Sequence, residues 1–125
     1  MTMKRLTLDR IKTPPFYSQA VIAGGLVFVS GIGAFDETGA VVGETIGEQT
    51  SRALQNISDI LEAAGSDLSK AVSATIILAD GDADWAGFNE EWCRWFPSEQ
   101  PARQASQLPV RVPGLKISIA MIAEA

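Results

Sequence analysis

Apolar positions along this chain switch between the two-residue period of a strand and the 3.6-residue period of a helix. Lys4 to Asp9 alternates enough for a first short strand. Pro14-Pro15 then stiffens a loop, because each ring fixes its own φ and restricts the residue before it. Gln19 to Ala23 and Leu26 to Ser30 are strand-length runs around Gly24-Gly25, a pair that supplies the backbone of a tight hairpin. Asp36-Glu37-Thr38-Gly39 is a further turn, followed by Val41-Val42.

The strongest helical signal comes next. Ala53, Leu54, Ile57, Ile60, Leu61 and Ala64 share one helical face. Thr45 is placed to cap this helix, with Glu48 completing a capping box and Gly65 just past its end. Glu48 and Arg52 are spaced for an i,i+4 ion pair. Ala71 to Ala79 is again strand-like, and Asp80-Gly81-Asp82 turns the chain into a second helix from about Asp84 to Phe96. Phe88, Trp92 and Trp95-Phe96 lie on one side of it, and Pro97 stops it. Two strands close the chain, Ala102 to Leu108 and Leu115 to Ala123.

The order β-β-β-α-β-α-β-β predicts an α+β fold, with two helices packed on one face of a single mixed sheet. Residues 1–125 are expected to form one domain, the size of an ordinary single core. The sheet's other face then needs a cover, for which another subunit is the simplest candidate.

Charge narrows the function. Ten Lys and Arg stand against fifteen Asp and Glu, a net charge of -5. An acidic chain with scattered basic residues repels phosphate backbones and anionic lipid, so neither nucleic acid nor a membrane is an expected partner. The longest apolar stretch, Val21 to Phe35, is broken by four glycines and is too short to span a bilayer. Met1 to Arg5 leads into no signal-peptide core, and the single Cys93 excludes an internal disulfide, so a cytoplasmic protein is expected. Cys93, between Trp92 and Trp95, is expected to be packed or partly buried.

The chain has no histidine. Ser-His-Asp triads, Cys-His dyads and histidine-based metal sites are therefore excluded, leaving carboxylates, Arg, Lys, Tyr, backbone groups and water for any chemistry. Asp80, Asp82 and Asp84 lack the glycine and closing glutamate of a calcium loop and are expected to be a solvated helix lead-in.

Arg103 stands in Pro101-Ala102-Arg103-Gln104-Ala105-Ser106-Gln107. Strand alternation puts Arg103, Ala105 and Gln107 on one side and Gln104, Ser106 and Leu108 on the other. With no carboxylate on its own strand, Arg103 is either an ion-pair partner at a surface or interface, or a planar fork that grips a carboxylate. Ser30-Gly31 is either a strand end eased by glycine or a place where a ligand meets the backbone. Tyr17 is either a loop anchor with a wet hydroxyl or the wall of a pocket.

Taken in order, several segments resemble the Rid family of small deaminases, also called YjgF or UK114 proteins and often labelled endoribonuclease L-PSP. They are Tyr17-Ser18-Gln19-Ala20-Val21, Gly25 to Gly31, Glu48-Gln49-Thr50 with Ala53 to Ile57, Leu61 to Gly65, Phe88-Asn89-Glu90 before Phe96-Pro97, and Pro101-Ala102-Arg103. The resemblance implies a chorismate-mutase-like fold assembled as a homotrimer with clefts between subunits. It also implies hydrolysis of reactive enamines and imines to 2-oxo acids and ammonia, with no cofactor. On that resemblance Arg103 binds a small metabolite's carboxylate, while Tyr17, Ser30, Gly31 and Asn89 line the cleft. Gln104, as a neutral hydrogen-bonding side chain, and Ser118, by its place on the last strand, are further candidate binding residues.

The chain also departs from the family pattern. Gln104 and Ala105 stand where a Ser-Cys pair follows the arginine, and the last-strand glutamate that positions water is matched to Ala120, with Ser118 the neighbouring same-face position. Glu124 has the same parity but lies roughly 13 Å further along the strand. Three functions are open at this point: an imine or enamine deaminase, a non-catalytic small-carboxylate-binding trimer, and an RNA-cleaving enzyme, which the charge and the lack of histidine disfavour.

Overall fold

The computed structural model describes residues 3–125. Six strands form one sheet in the order β1-β2-β3-β6-β4-β5. The strands are β1 Lys4–Leu6, β2 Ala20–Ala23, β3 Leu26–Ile32, β4 Ala71–Leu78, β5 Ala102–Gln107 and β6 Ile117–Glu124. The helices are α1 Ile46–Ala63 and α2 Gly81–Trp95, and a single 3₁₀ turn covers Leu68–Lys70. β4 and β5 run parallel and every other pairing is antiparallel. The sheet is therefore mixed, as the element order predicts.

Alternation along the central strands decides which face is core. Val27 and Val29 of β3, Ala74, Ile76 and Leu78 of β4, and Ile117, Ile119 and Met121 of β6 are all buried on the helix side. Against them α1 packs Ala53, Leu54, Ile57, Ile60 and Leu61, and α2 adds Phe88 and Trp92. Burying this many large side chains, at about 1.5–3 kcal/mol each, is what holds the two layers together. The opposite face carries Phe28, which is 41% exposed, and half-buried Ile77, Ala120 and Ile122. No helix covers it among the described residues.

Helix α1 is delimited as its sequence requires. Thr45 Oγ1 accepts from the Glu48 N–H, and Glu48 returns a bond to the Thr45 N–H, the two halves of the capping box. Gly65 follows the C-cap Ala64 with φ +84°, as expected. The Glu48–Arg52 ion pair does not form. Glu48 is held by its cap, while Arg52 Nε donates to the Phe35 carbonyl at 3.1 Å and its guanidinium lies 3.7 Å from Glu37.

Helix α2 starts at Gly81 rather than near Asp84, because Asp80 caps it by accepting from the Ala83 N–H. Asp82 and Asp84 fall in its first turn, where carboxylates suit the helix dipole. Cys93 is exposed, contrary to the expected packing. The helix buries the stripe through Phe88 and Trp92, and Cys93 falls off that stripe.

Candidate active site

The register of β3 against β6 slips between Val29 and Ile32, so a bulge carries Ser30 and Gly31. Bulges re-aim side chains, and this one turns the strand end toward a cavity. That cavity, of about 550 Å³, lies at the end of the sheet where β3 finishes and β6 begins. Tyr17, Gly31 and Ser118 line it, together with Lys12, Phe35 and Leu115. Tyr17 is 46% exposed and stacks at a tilt on Phe16, so it forms part of the wall and not of the core. The residue facing Gly31 is Ser118, whose Oγ sits 2.9 Å from where a β-carbon on Gly31 would stand. Ala120 lies further along β6, paired with Thr75. Glu124 is at the far end of β6, opposite Leu26.

Buried polar side chains shape the walls. Gln19 is fully buried, and its Nε2 donates to the Leu8 and Ile11 carbonyls and to Thr13 Oγ1, while its Oε1 accepts from the Leu8 N–H. The loop carrying Lys12 is thus held on both sides of that residue. Ser30 Oγ donates to the Ser18 carbonyl at 2.6 Å, so its hydroxyl anchors the Tyr17-Ser18 turn. Asn56 Nδ2 donates to the Gly33 and Phe35 carbonyls. Gln49 Nε2 donates to the Gly43 and Gly114 carbonyls, and its Oε1 accepts from the Lys116 N–H. Asp36 accepts from the Thr38 hydroxyl and from the Ala40 and Thr38 N–H groups, and these bonds hold its carboxyl below the usual range.

Arg103 is elsewhere. It pairs with Ala74 across β4–β5, a register that points it to the helix side at the sheet's edge. Its guanidinium carbon lies 5.5, 5.1 and 5.4 Å from the ring centres of Trp85, Phe88 and Trp92. Such stacking orders the plane of the fork and leaves its N–H edge available. Among the described residues it makes no ion pair. Asn89 follows Phe88 on the same helix and is half-buried. Ala105 lies beside Trp85 in a shallow groove between α2 and β5, and Gln107 Oε1 there accepts from the Gly81 N–H at 2.6 Å. Gln104 and Ser106 point to the opposite, helix-free face.

Two groups of residues result. Tyr17, Gly31 and Ser118 share the cavity, with Ser30 behind it, whereas Arg103 lies at the edge formed by α2 and β5 and Asn89 lies on α2, outside the cavity wall. β4 runs between β5 and β6, and the level of Ser118 is set by the Ile77–Ser106 pairing, three residues from Arg103. Two strand spacings and three residues separate the backbones by about 14 Å, and the side chains point to opposite faces.

The endoribonuclease L-PSP family model matches residues 7–125. The chain belongs to that family, the Rid proteins. It is 44% identical over 108 residues to reactive intermediate deaminase A, chloroplastic, of Arabidopsis thaliana, covering 86% of this chain and 57% of that longer protein. The human 2-iminobutanoate/2-iminopropanoate deaminase is 37% identical over 108 residues, covering 86% of this chain and 78% of its own length. The crystal structure of RidA from the Antarctic bacterium Psychrobacter sp. superposes with a TM-score of 0.89 at 31% identity, covering 98% and 99% of the two chains. Imine deaminases thus stand among this Rid chain's relatives. Those relatives include one named as chloroplastic and one, protein mmf2 of Schizosaccharomyces pombe (42% identical over 110 residues, covering 86% of each chain), named as mitochondrial, so the expected cytoplasmic location is not borne out by them. Among the described residues, no helix is long and apolar enough to cross a membrane.

The cavity contains several residues that the sequence pattern did not single out: Lys12, Phe35 and Leu115 on its wall, and Gln19, Gln49 and Asn56 behind it. A signal existed for two of them. Gln49 and Asn56 fall on the apolar stripe of α1, where a polar residue must be bonding to something.

Proposed function

We propose that this Rid protein is a cofactor-free hydrolytic deaminase that converts small 2-imino acids and their enamines to 2-oxo acids and ammonia. Arg103 grips the substrate carboxylate in bidentate fashion. The site is completed between copies of the chain, the Arg103 edge of one closing the Tyr17–Gly31–Ser118 cavity of the next, in a homotrimer.

One observation carries this reading. The free guanidinium and the cavity are both built, yet they lie about 14 Å apart on opposite faces, too far for one four-carbon imino acid to touch both. An exposed apolar residue on a central strand, Phe28, fits a face that a second copy covers.

The chemistry asks little of the protein. A protonated imine is already electrophilic, so water adds to its carbon to give a carbinolamine, which expels ammonia as the C–N bond breaks and the carbonyl forms. Arg103 fixes the carboxylate, and the Ser118 and Tyr17 hydroxyls can hold the water. Gly31 leaves room for the reacting carbon beside the backbone. Among the described residues no carboxylate lines the cavity, so the general-base contribution of about 10²–10⁴-fold is absent or comes from elsewhere.

That same absence favours a second reading, a trimer that binds small 2-oxo or 2-imino carboxylates without turning them over. Endoribonuclease activity finds no support in a chain of net charge -5 without histidine. The test is ammonia release from imines generated in situ by an amino-acid oxidase. Acceleration that Arg103→Ala abolishes supports the enzyme. Calorimetric binding of a 2-oxo acid that Arg103→Ala abolishes, with no acceleration, supports the binding module.

A further inference from the structure

The cavity holds one charged side chain on its wall, and it is a cation. Lys12 lines the space together with Tyr17, Gly31 and Ser118. Its placement is built. Fully buried Gln19 bonds to the Ile11 carbonyl at 2.7 Å and to Thr13 Oγ1 at 2.7 Å, fixing the residues on either side of Lys12. The Lys12 stem then lies on the 36–40 turn, with its Cδ 3.3 Å from where a β-carbon on Gly39 would stand. Gly39 has φ +86°, so the turn needs glycine there for its backbone, and the missing side chain also makes room for the lysine stem.

Both carboxylates of the turn beneath the Lys12 stem have other partners. Asp36 is spent on the Thr38 and Ala40 donors of its own turn, and Glu37 faces Arg52. Among the described residues Lys12 makes no ion pair. In a protein of net charge -5, Lys12 is an exposed cation without an ion-pair partner among the described residues, beside a cavity whose described wall carries no carboxylate, and it is available to an anionic ligand.

We infer that Lys12 is a specificity-determining residue that recognises a second anionic group, so that the favoured substrates are 2-imino dicarboxylic acids. This rests on the deaminase reading, in which Arg103 of an adjacent copy holds the carboxylate next to the imine. Lys12 then pairs with the carboxylate at the far end of a four- or five-carbon chain. A cavity of about 550 Å³ is ample for such a molecule. A compact ammonium on a flexible stem suits a terminal carboxylate whose distance varies with chain length, whereas the planar Arg103 fork suits the fixed one.

The experiment compares kcat/KM for imines generated in situ by oxidases from aspartate and from a monocarboxylic amino acid, using the full chain and its Lys12→Gln, Lys12→Glu and Lys12→Arg variants. The ratio of dicarboxylic to monocarboxylic kcat/KM should fall about tenfold or more in Lys12→Gln. It should fall further in Lys12→Glu and stay near the parent value in Lys12→Arg. A ratio that stays within about twofold in Lys12→Gln and Lys12→Glu overturns the assignment, as does an equal loss for both substrate classes.

If the parent protein deaminates neither class, the enzyme reading fails, and the Lys12 assignment is then decided by calorimetry with 2-oxoglutarate and 2-oxobutanoate. Preferential binding of 2-oxoglutarate that Lys12→Gln removes sustains the second anion site. Equal binding of the two acids, or binding of neither, ends it.

Discussion

Ser118 Oγ occupies the space that a β-carbon on Gly31 would need, at 2.9 Å from its position. Real β-carbons do not approach oxygen so closely, so Gly31→Ala forces the Ser118 hydroxyl to rotate. That is cheap for the fold, because the obstructing atom is the end of a flexible side chain. On the proposed deaminase reading it is costly for the site, because the methyl and the displaced hydroxyl fill the place assigned there to the substrate carbon and its water. Gly31→Ala should change unfolding free energy by no more than about 1 kcal/mol in urea titrations. The same variant should lower kcat/KM about tenfold or more.

Arg103 separates charge from geometry. Arg103→Lys keeps a cation at the β5 edge but loses the fork and its stacking on Trp85, Phe88 and Trp92. It should lower kcat/KM by roughly 10–100-fold, mostly through KM, with Arg103→Ala lower still. The unfolding temperature should fall by only a few degrees in both, because the residue is exposed and such ring contacts are worth about 0.5–1 kcal/mol.

A site shared between copies makes a further prediction. Arg103→Ala and Gly31→Val damage opposite halves, so each alone should be inactive. Unfolded and refolded together in equal amounts, they should regain about a quarter of the parent activity, since random assembly pairs two intact halves at that frequency. Measured recovery near zero would place both halves in the same copy.

Gln19 tests how the cavity wall is held. Gln19→Leu leaves the Leu8 N–H and the Leu8 and Ile11 carbonyls without their partner in a partly buried setting. The expected cost is about 2–4 kcal/mol in urea unfolding, with the slope against denaturant unchanged. Because the lost bonds flank Lys12, discrimination between mono- and dicarboxylic ligands should weaken as well.

Much of this was legible in the chain, and the reasons differ by residue. The capping box at Thr45 and Glu48 and the glycine at 65 are local signals, so α1 falls where the pattern puts it. Burial of Phe88 and Trp92 follows from helical spacing. Cys93 is exposed, against the sequence expectation, because its aromatic neighbours in sequence are not its neighbours around the helix. The bond from Arg52 to Phe35 depends on where a distant loop returns, which no window of the sequence contains. The place of Lys12 is not legible in the sequence for the same reason, since the Gly39 turn and the Gln19 anchor come from later segments. For the last-strand position, counting residues favoured Ala120, while the sheet register sets Ser118 against Gly31.

Acid should be the side on which the fold weakens. Glu48 is held below its ordinary 4.5 chiefly by the Thr45 and Glu44 N–H groups, and Asp67 below its ordinary 3.8 chiefly by the Ser69 hydroxyl. Both are depressed in the folded chain, so their contribution is complete above those ordinary values and is lost as pH falls through the lowered ones. With no histidine to titrate, the unfolding temperature should be nearly flat from about pH 5.5 to 8 and should drop below about pH 4.5. Glu48→Gln should flatten part of that acid slope. A transition near pH 6.5 would contradict this assignment.

The most direct measurement is the rate at which ammonia and 2-oxo acid appear when the purified protein is added to an oxidase generating a 2-imino acid. A deaminase with Arg103 as its carboxylate grip accelerates that release in proportion to protein added, and Arg103→Ala returns it to the background rate. No acceleration with any of several mono- and dicarboxylic imino acids, under conditions where a control deaminase works, would contradict it, as would an Arg103→Ala protein as fast as the parent.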